Sequence, residues 1–233
     1  MNRQIKGLLY FFVTDIRHSL IVFWSILLLT LVVSLAFSYF LLSVEDGKLW
    51  FAIPFGTYFY CMIMGFITVK ESIPFSIKMG ATRKNLYFAI AIFFFVFALF
   101  KALLSNIVHS SVIFFKDVAS IDTFNFIHPS LAVQDTWLTR FTIDTLIMFT
   151  LLSVMFLLGL VFHKFGLIGG GAVVGLFAIS LLIGIAKGWL FEFLSDMVRT
   201  ADMVLFYQIF GVGLLFYALS FLLLRRITIH KVR

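Results

Sequence analysis

The sequence predicts an all-α, polytopic integral membrane protein: six transmembrane helices, an amphipathic interfacial helix at the N-terminus and one short cytoplasmic helix between spans. Three observations predict it. Of 233 residues, 62% are hydrophobic and 12% are charged, with a mean hydropathy of +1.11, whereas a water-soluble domain carries about twice that charged share. The apolar residues fall in runs that reach the roughly 20 residues needed to cross a hydrocarbon core of about 30 Å as helix. These runs are continuously apolar, while the strands of a transmembrane barrel alternate and last about 10 residues. Lipid offers no hydrogen bonds to the backbone, so helices are the remaining solution.

The spans read near residues 20–44, 49–69, 86–115, 141–162, 167–186 and 203–224, and the whole chain, 1–233, reads as a single membrane domain without a soluble module or repeat. Ahead of the first span, Ile5, Leu8, Leu9, Phe12 and Ile16 recur at helical spacing, with Arg3, Lys6, Asp15, Arg17 and His18 elsewhere around the wheel. That pattern predicts a helix lying in the membrane interface. No small-residue cleavage site follows the first run, so it is expected to be retained. The third run is long enough to tilt or to leave the membrane at its far end. Segments 116–140 and 187–202 mix aromatics with charge and are expected to be partly ordered, with Phe191, Phe193, Leu194 and Met197 suited to resting on the membrane.

Charge sets the expected orientation. With the N-terminus inside, Arg3, Lys6, Arg17, Lys70, Lys78, Arg83, Lys84, Lys164, Arg225, Arg226, Lys231 and Arg233 are cytoplasmic, and Lys48, Lys116, Arg140, Lys187 and Arg199 are outside. This excess of inner basic residues obeys the positive-inside rule, and the reverse orientation violates it. The expected location is therefore the plasma membrane, with both termini cytoplasmic. The formal net charge of +7 is explained by topology, and nucleic acid is not an expected partner.

The second cytoplasmic connection, VKESIPFSIKMGATRKNLYF over residues 69–88, carries the most local information. Pro74 suits the first turn of a helix and Gly80 the left-handed residue that ends one. A short helix over residues 73–79 follows, after which Thr82 can cap the next span and Arg83 and Lys84 sit at the inner headgroups. A plain turn needs only a few residues. A helix placed here is a surface made to be held.

A short helix after the second span, closed by Lys-Met-Gly-Ala-Thr-Arg-Lys before the third, resembles the coupling region of ABC-2 type ABC transporter permeases, in particular small Gram-positive exporters. The six spans, inner termini and amphipathic start are similar as well. The resemblance implies a permease subunit of an ATP-driven exporter for an amphipathic or lipophilic substrate: peptide, lipid or drug. Its expected partners are separate ABC ATPase subunits, a second permease of the same or a different chain, and membrane lipids. Glu71, Pro74, Phe75, Lys78, Gly80 and Arg83 would then lie at or near the ATPase contact.

Phosphate chemistry is expected on that partner, because the chain has no G-x-x-x-x-G-K-[ST] loop. ATP and Mg would be bound there, and no cofactor is expected on this chain, which is not itself read as an enzyme. Gly166, Gly170, Gly171 and Gly175 give small-xxx-small spacings that suit close helix packing. His18, His109, His128, His163 and His230 are scattered, and Cys61 reads as a small buried hydrophobe. Lys101, Ser105 and His109 form an i, i+4, i+8 polar stripe inside the third run. Intramembrane charge marks a possible pathway by default, but Lys101 stands about 22 Å beyond Leu86, within snorkelling reach of the outer headgroups, and that reading is preferred. The alternative function is a membrane scaffold or sensing subunit of an envelope-stress or immunity complex that docks a regulator without transport. A small membrane enzyme is a third, weakened by the lack of a catalytic cluster.

Overall fold

A computed structural model describes residues 3–43, 47–225 and 227. Helix α1 (Arg3–Phe40) is one uninterrupted rod of 38 residues, about 57 Å long at 1.5 Å per residue. The amphipathic start and the first span are therefore continuous, where the sequence reading separates them. Leu8, Phe12 and Ile16 are buried, and the Phe12 ring lies 5.3 Å from that of Phe93. The apolar face of the first turns is covered by the chain's own helices and is not left to lipid.

Strand β1 (Leu49–Phe51) occupies the expected start of the second span, and pairs in parallel with β2 (Phe124–Phe126), Trp50 opposite Asn125. Pro54 explains the correction. It lacks an N–H and fits only the first turn of a helix, so helix α2 (Ile53–Ile67) begins beside it. From α2 the chain continues through a π turn (Thr68–Ser72) directly into α3 (Ile73–Lys78). Pro74 cannot donate to the preceding turn, and the wider π turn sits immediately before it.

Helix α3 ends as the sequence predicts. Gly80 has φ +82°, its N–H donates to Ile77 O, and Ala81 N–H donates to Ser76 O, both at 3.0 Å. This pair of bonds is a Schellman closure, which satisfies the orphan carbonyls of a helix end and requires a left-handed residue there. Thr82 Oγ1 then accepts from Asn85 N–H and opens α4 (Arg83–Val118).

A 3-10 turn (Pro129–Ala132) leads to α5 (Trp137–Ala186), a run of 50 residues that breaks at Gly166, with φ 69° and ψ −169°. After it come α6 (Trp189–Arg199) and α7 (Met203–Leu224). The segment 187–202 is thus helical and buries none of its side chains, and 116–140 contains β2 and the 3-10 turn.

Among the described residues the molecule is all-α apart from the β1–β2 pair, and five helices are long and apolar enough to cross a membrane. That is compatible with a multi-pass membrane protein. The bundle has two distinct ends. At the α3 end, Gln4 bonds Gly80 O and Arg83 bonds carbonyls just after α7. At the strand end, Ser38 bonds Thr123, and Phe206 at the start of α7 packs on Ile143 and Leu146 near the start of α5. Helix α7 and the first part of α5 therefore both run from the strand end toward the α3 end. Between them, residues 167–202 must return the chain along the bundle, and Gly166 is where it reverses. The Phe162 ring lies against Gly170 just beyond this bend.

The core joins α4, α5 and α7 through rings: Phe94 meets Phe156 edge-on at 5.5 Å, and Phe156 stacks on Tyr217 at 5.9 Å. Lipid is as apolar as these side chains, so close packing rather than exclusion of water holds such helices together. Gly171 and Gly175 have nothing within 4 Å among the described residues, and the close contact expected of that spacing is not made within this chain.

Candidate functional site

At the α3 end, the predicted coupling residues share one surface. Glu71, Phe75, Lys78, Gly80 and Arg83 are exposed, and Pro74 is half-buried. Ile73 and Ser76 turn inward, so α3 presents its other face outward. Phe75 stacks on Phe11 of α1 with centroids 4.5 Å apart yet remains 45% exposed, and Met79 is 73% exposed. Between α1 and α3 lies a groove of about 220 Å³ lined by Gly7, Leu8, Phe11, Phe75 and Met79. Gln4 closes one side by donating to Gly80 O at 3.0 Å and accepting from Asn85. Arg83 differs from its neighbours: its guanidinium donates to Arg225 O at 2.9 Å and Ile227 O at 2.8 Å. It ties α4 to carbonyls left open where α7 ends.

Midway along α4 sits Lys101. It is fully buried, with Nζ 3.6 Å from the centroid of Phe23, 4.5 Å from Tyr60 and 4.7 Å from Trp24. Snorkelling is thus not what this side chain does. Its ammonium group ends inside a cage of three aromatic rings contributed by α1 and α2, and among the described residues it has no hydrogen-bond acceptor. Trp24 Nε1 beside it, and Asn106 Oδ1 further along α4, are also buried without partners. Ser105 and His109 are buried as well, so the whole predicted stripe faces the protein interior.

The stripe leads to a cluster at the strand end that sequence reasoning missed. His109 packs on Phe126 of β2 at 4.1 Å and lies 6.0 Å, ring to ring, from His128. His128 Nδ1 accepts from Ser130 N–H at 3.0 Å, which leaves Nε2 as the protonated nitrogen of the neutral ring. Nε2 is 3.2 Å from Asp144 Oδ1, but the N–H is not aimed along that line, so the attraction is electrostatic rather than a formed hydrogen bond. Tyr58 donates its hydroxyl to the same oxygen. Both His128 and Asp144 are buried. The loop, α2 and α5 therefore converge on one carboxylate.

A second carboxylate holds the same loop. Asp135 Oδ1 accepts from Ser130 Oγ and from Arg140 Nε, each at 2.6 Å. Burial pushes this carboxyl up, but the bonds from Ser130 and Arg140 and the Arg140 charge outweigh it and hold it below its ordinary value of 3.8. Charges at Arg140 and Asp144, one helical turn apart at the edge of an apolar run, were the available signal; nothing local marked His128. No group of three or more metal-ligating side chains occurs among the described residues. Compared with known proteins, the chain matches no protein-family model, no curated protein and no solved structure.

Proposed function

We propose that the chain is the transmembrane permease subunit of an ATP-driven ABC exporter of the ABC-2 type, working beside a second permease and above separate ATPase subunits. The observation that supports this best is the α3 surface. A short helix continuous with a long apolar one, closed by a Schellman turn, leaves Phe75 and Met79 exposed next to a groove. Exposed apolar anchors ringed by charge suit a protein partner, and Glu71 and Lys78 supply that rim. Because α2 passes into α3 without a hinge, a push on α3 is transmitted along α2.

On this reading the α3 end is cytoplasmic, where the inner basic residues lie, and residues 137–165 and 167–186 are two crossings joined at Gly166, giving six. The chain sits in the plasma membrane, binds no nucleotide and leaves ATP and Mg to its partner. Its substrate is amphipathic or lipophilic.

The test is to copurify the chain with an ABC ATPase subunit and measure ATP hydrolysis for wild type and Phe75→Ala. Central apolar anchors carry about 2 kcal/mol or more of an interface, so the variant should bind the ATPase on the order of 30-fold more weakly. Insertion in the membrane should be unchanged. Equal association and equal hydrolysis in both proteins would remove the coupling assignment.

A further inference from the structure

The geometry points to a socket for one acyl chain of a membrane lipid in the seam between α1 and α4, with the headgroup at the strand end. The seam is fastened at two levels. Midway along α4, Lys101 ends against Phe23 and Trp24 of α1; at the strand end, Ser38 and Thr123 hydroxyls lie 2.6 Å apart and Thr123 Oγ1 also donates to Ser38 O. Between these fastenings a groove of about 560 Å³ opens along the two helices. Its small residues, Ala36 on one wall and Ser111 and Ala119 on the other, leave the space. Leu31, Val112 and Ile121 line it too and are buried, so the groove reaches down to packed core and is more than a ripple in the outer surface.

The chemistry of the walls selects the occupant. The hydroxyl at the deep end, Ser111 Oγ, donates to Ile107 O at 2.8 Å within its own helix, so the groove asks for no hydrogen bond there. An extended peptide would press unpaired N–H and C=O groups against these walls, a cost that an alkyl chain does not carry. On α1 the lining runs from Leu31 to Tyr39 and on α4 from Ser111 to Ala119, about 12 Å of helix in each case. That is most of one leaflet's half of a hydrocarbon core about 30 Å thick. The shallow end is at the strand end, where Tyr39 supplies the kind of residue that membrane interfaces favour. A lipid standing in that leaflet therefore enters with its head at the surface and its chain pointing inward. Among the described residues, the charges that flank this end along the chain are Lys48, Lys116, Asp117 and Asp122, two of each sign, so the chain is recognised and headgroup charge is not.

The socket rests on the permease reading only in placing the strand end at the outer leaflet. It is measured on the chain alone, without an ATPase, so its failure and the failure of coupling are separate results. The full chain is reconstituted in phosphatidylcholine vesicles that carry a small share of phosphatidylcholine with a diazirine midway along one acyl chain, irradiated, and mapped by peptide mass spectrometry. Residues 31–39 and 111–121 should be labelled several-fold more than Val204, Tyr207 and Val212, which are exposed on α7 at the same end of the bundle. Equal labelling of seam and α7 means ordinary lipid contact and overturns the proposal. Ala36→Phe and Ser111→Phe each narrow the groove from an exposed wall and should bring the seam down to the α7 level; either serves if the other fails to fold. A folded variant that labels like wild type overturns the proposal. Phosphatidylglycerol bearing the same chain should label the seam equally, and a several-fold preference for either headgroup overturns recognition by the chain. Disulfide-linked dimers of Ala36→Cys in a Cys61→Ala background, with the seam left unlabelled, would assign the groove to a second copy and overturn the lipid.

Discussion

Gly65→Ala tests whether α2 is seated on α5 closely enough to carry motion to α3. A Cβ at position 65 would stand 2.5 Å from Leu152 O, 3.1 Å from Leu152 Cα and 3.1 Å from Met155 Cβ. The first falls about 0.9 Å short of the 3.4 Å at which ordinary contact begins, and the obstructing atoms are α5 backbone, which cannot rotate aside as a side chain would. Either α2 lifts off by nearly 1 Å or both helices strain. Overpacking of this kind costs about 1–3 kcal/mol, and a chain of this size loses about 2–4 °C of melting temperature per kcal/mol. One turn further on, Val69 packs against Gly159, and Ile73 at the start of α3 is buried. The displacement is therefore delivered to α3, and on the proposed permease reading ATP hydrolysis by a bound partner should respond. The assay is thermal unfolding of the purified protein with Gly175→Ala as control, because nothing lies within 4 Å of Gly175. A Gly65→Ala protein that melts within a degree of the control would refute the close α2–α5 packing.

Asp144→Asn keeps the shape of the residue on which His128 and Tyr58 converge and removes its charge; losing a charge-assisted partner costs about 1–3 kcal/mol, read as faster hydrogen exchange in β2 and the 3-10 turn. Asp135 makes the same loop acid-sensitive. Its carboxyl is held below 3.8 in the folded protein, so its stabilisation is present above the unfolded value and is lost as pH falls through the lower folded value. Protection of the 3-10 turn, corrected for intrinsic exchange, should hold at pH 6 and decline as pH falls below 3.8, and Asp135→Asn should remove that pH dependence. For topology, Ser195→Cys in a Cys61→Ala background should react with an impermeant thiol reagent from outside the cell, and Lys78→Cys should not; reaction of position 78 from outside reverses the assigned orientation.

What was legible in the sequence was what short-range chemistry determines. Pro74, Gly80 and Thr82 each act on the backbone within a turn of themselves, and the structure places the α3 helix, its left-handed closure and the α4 cap where those residues predicted. The sixth apolar run, 203–224, coincides with α7 (Met203–Leu224), and the third lies within α4. The strand pair was not legible. Leu49 pairs with Phe124, a partner far away in sequence, and three apolar residues ahead of a long apolar run carry no mark separating strand from helix. What covers the amphipathic start was not legible for a related reason. Amphipathicity shows that one face of residues 3–18 must be covered, but whether by lipid or by the chain's own Phe93 depends on where α4 lies.

Lys101 shows the same limit more sharply. Depth along the helix measures how far an ammonium group could reach, not which way it faces. Lys101 shares its helical face with Phe94, Ala98, Ser105 and His109, all buried, so the i, i+4, i+8 stripe was the indication that this face meets the bundle. A helical side chain also leans toward the N-terminus of its own helix. For α4 that is the α3 end, so distance counted from Cα toward the strand end overstates what Nζ covers. The rings that receive it come from Phe23, Trp24 and Tyr60, on helices whose registers against α4 no local pattern encodes. With this face of α4 turned inward, Lys101, Ser105 and His109 are all withdrawn from the outer surface of the bundle.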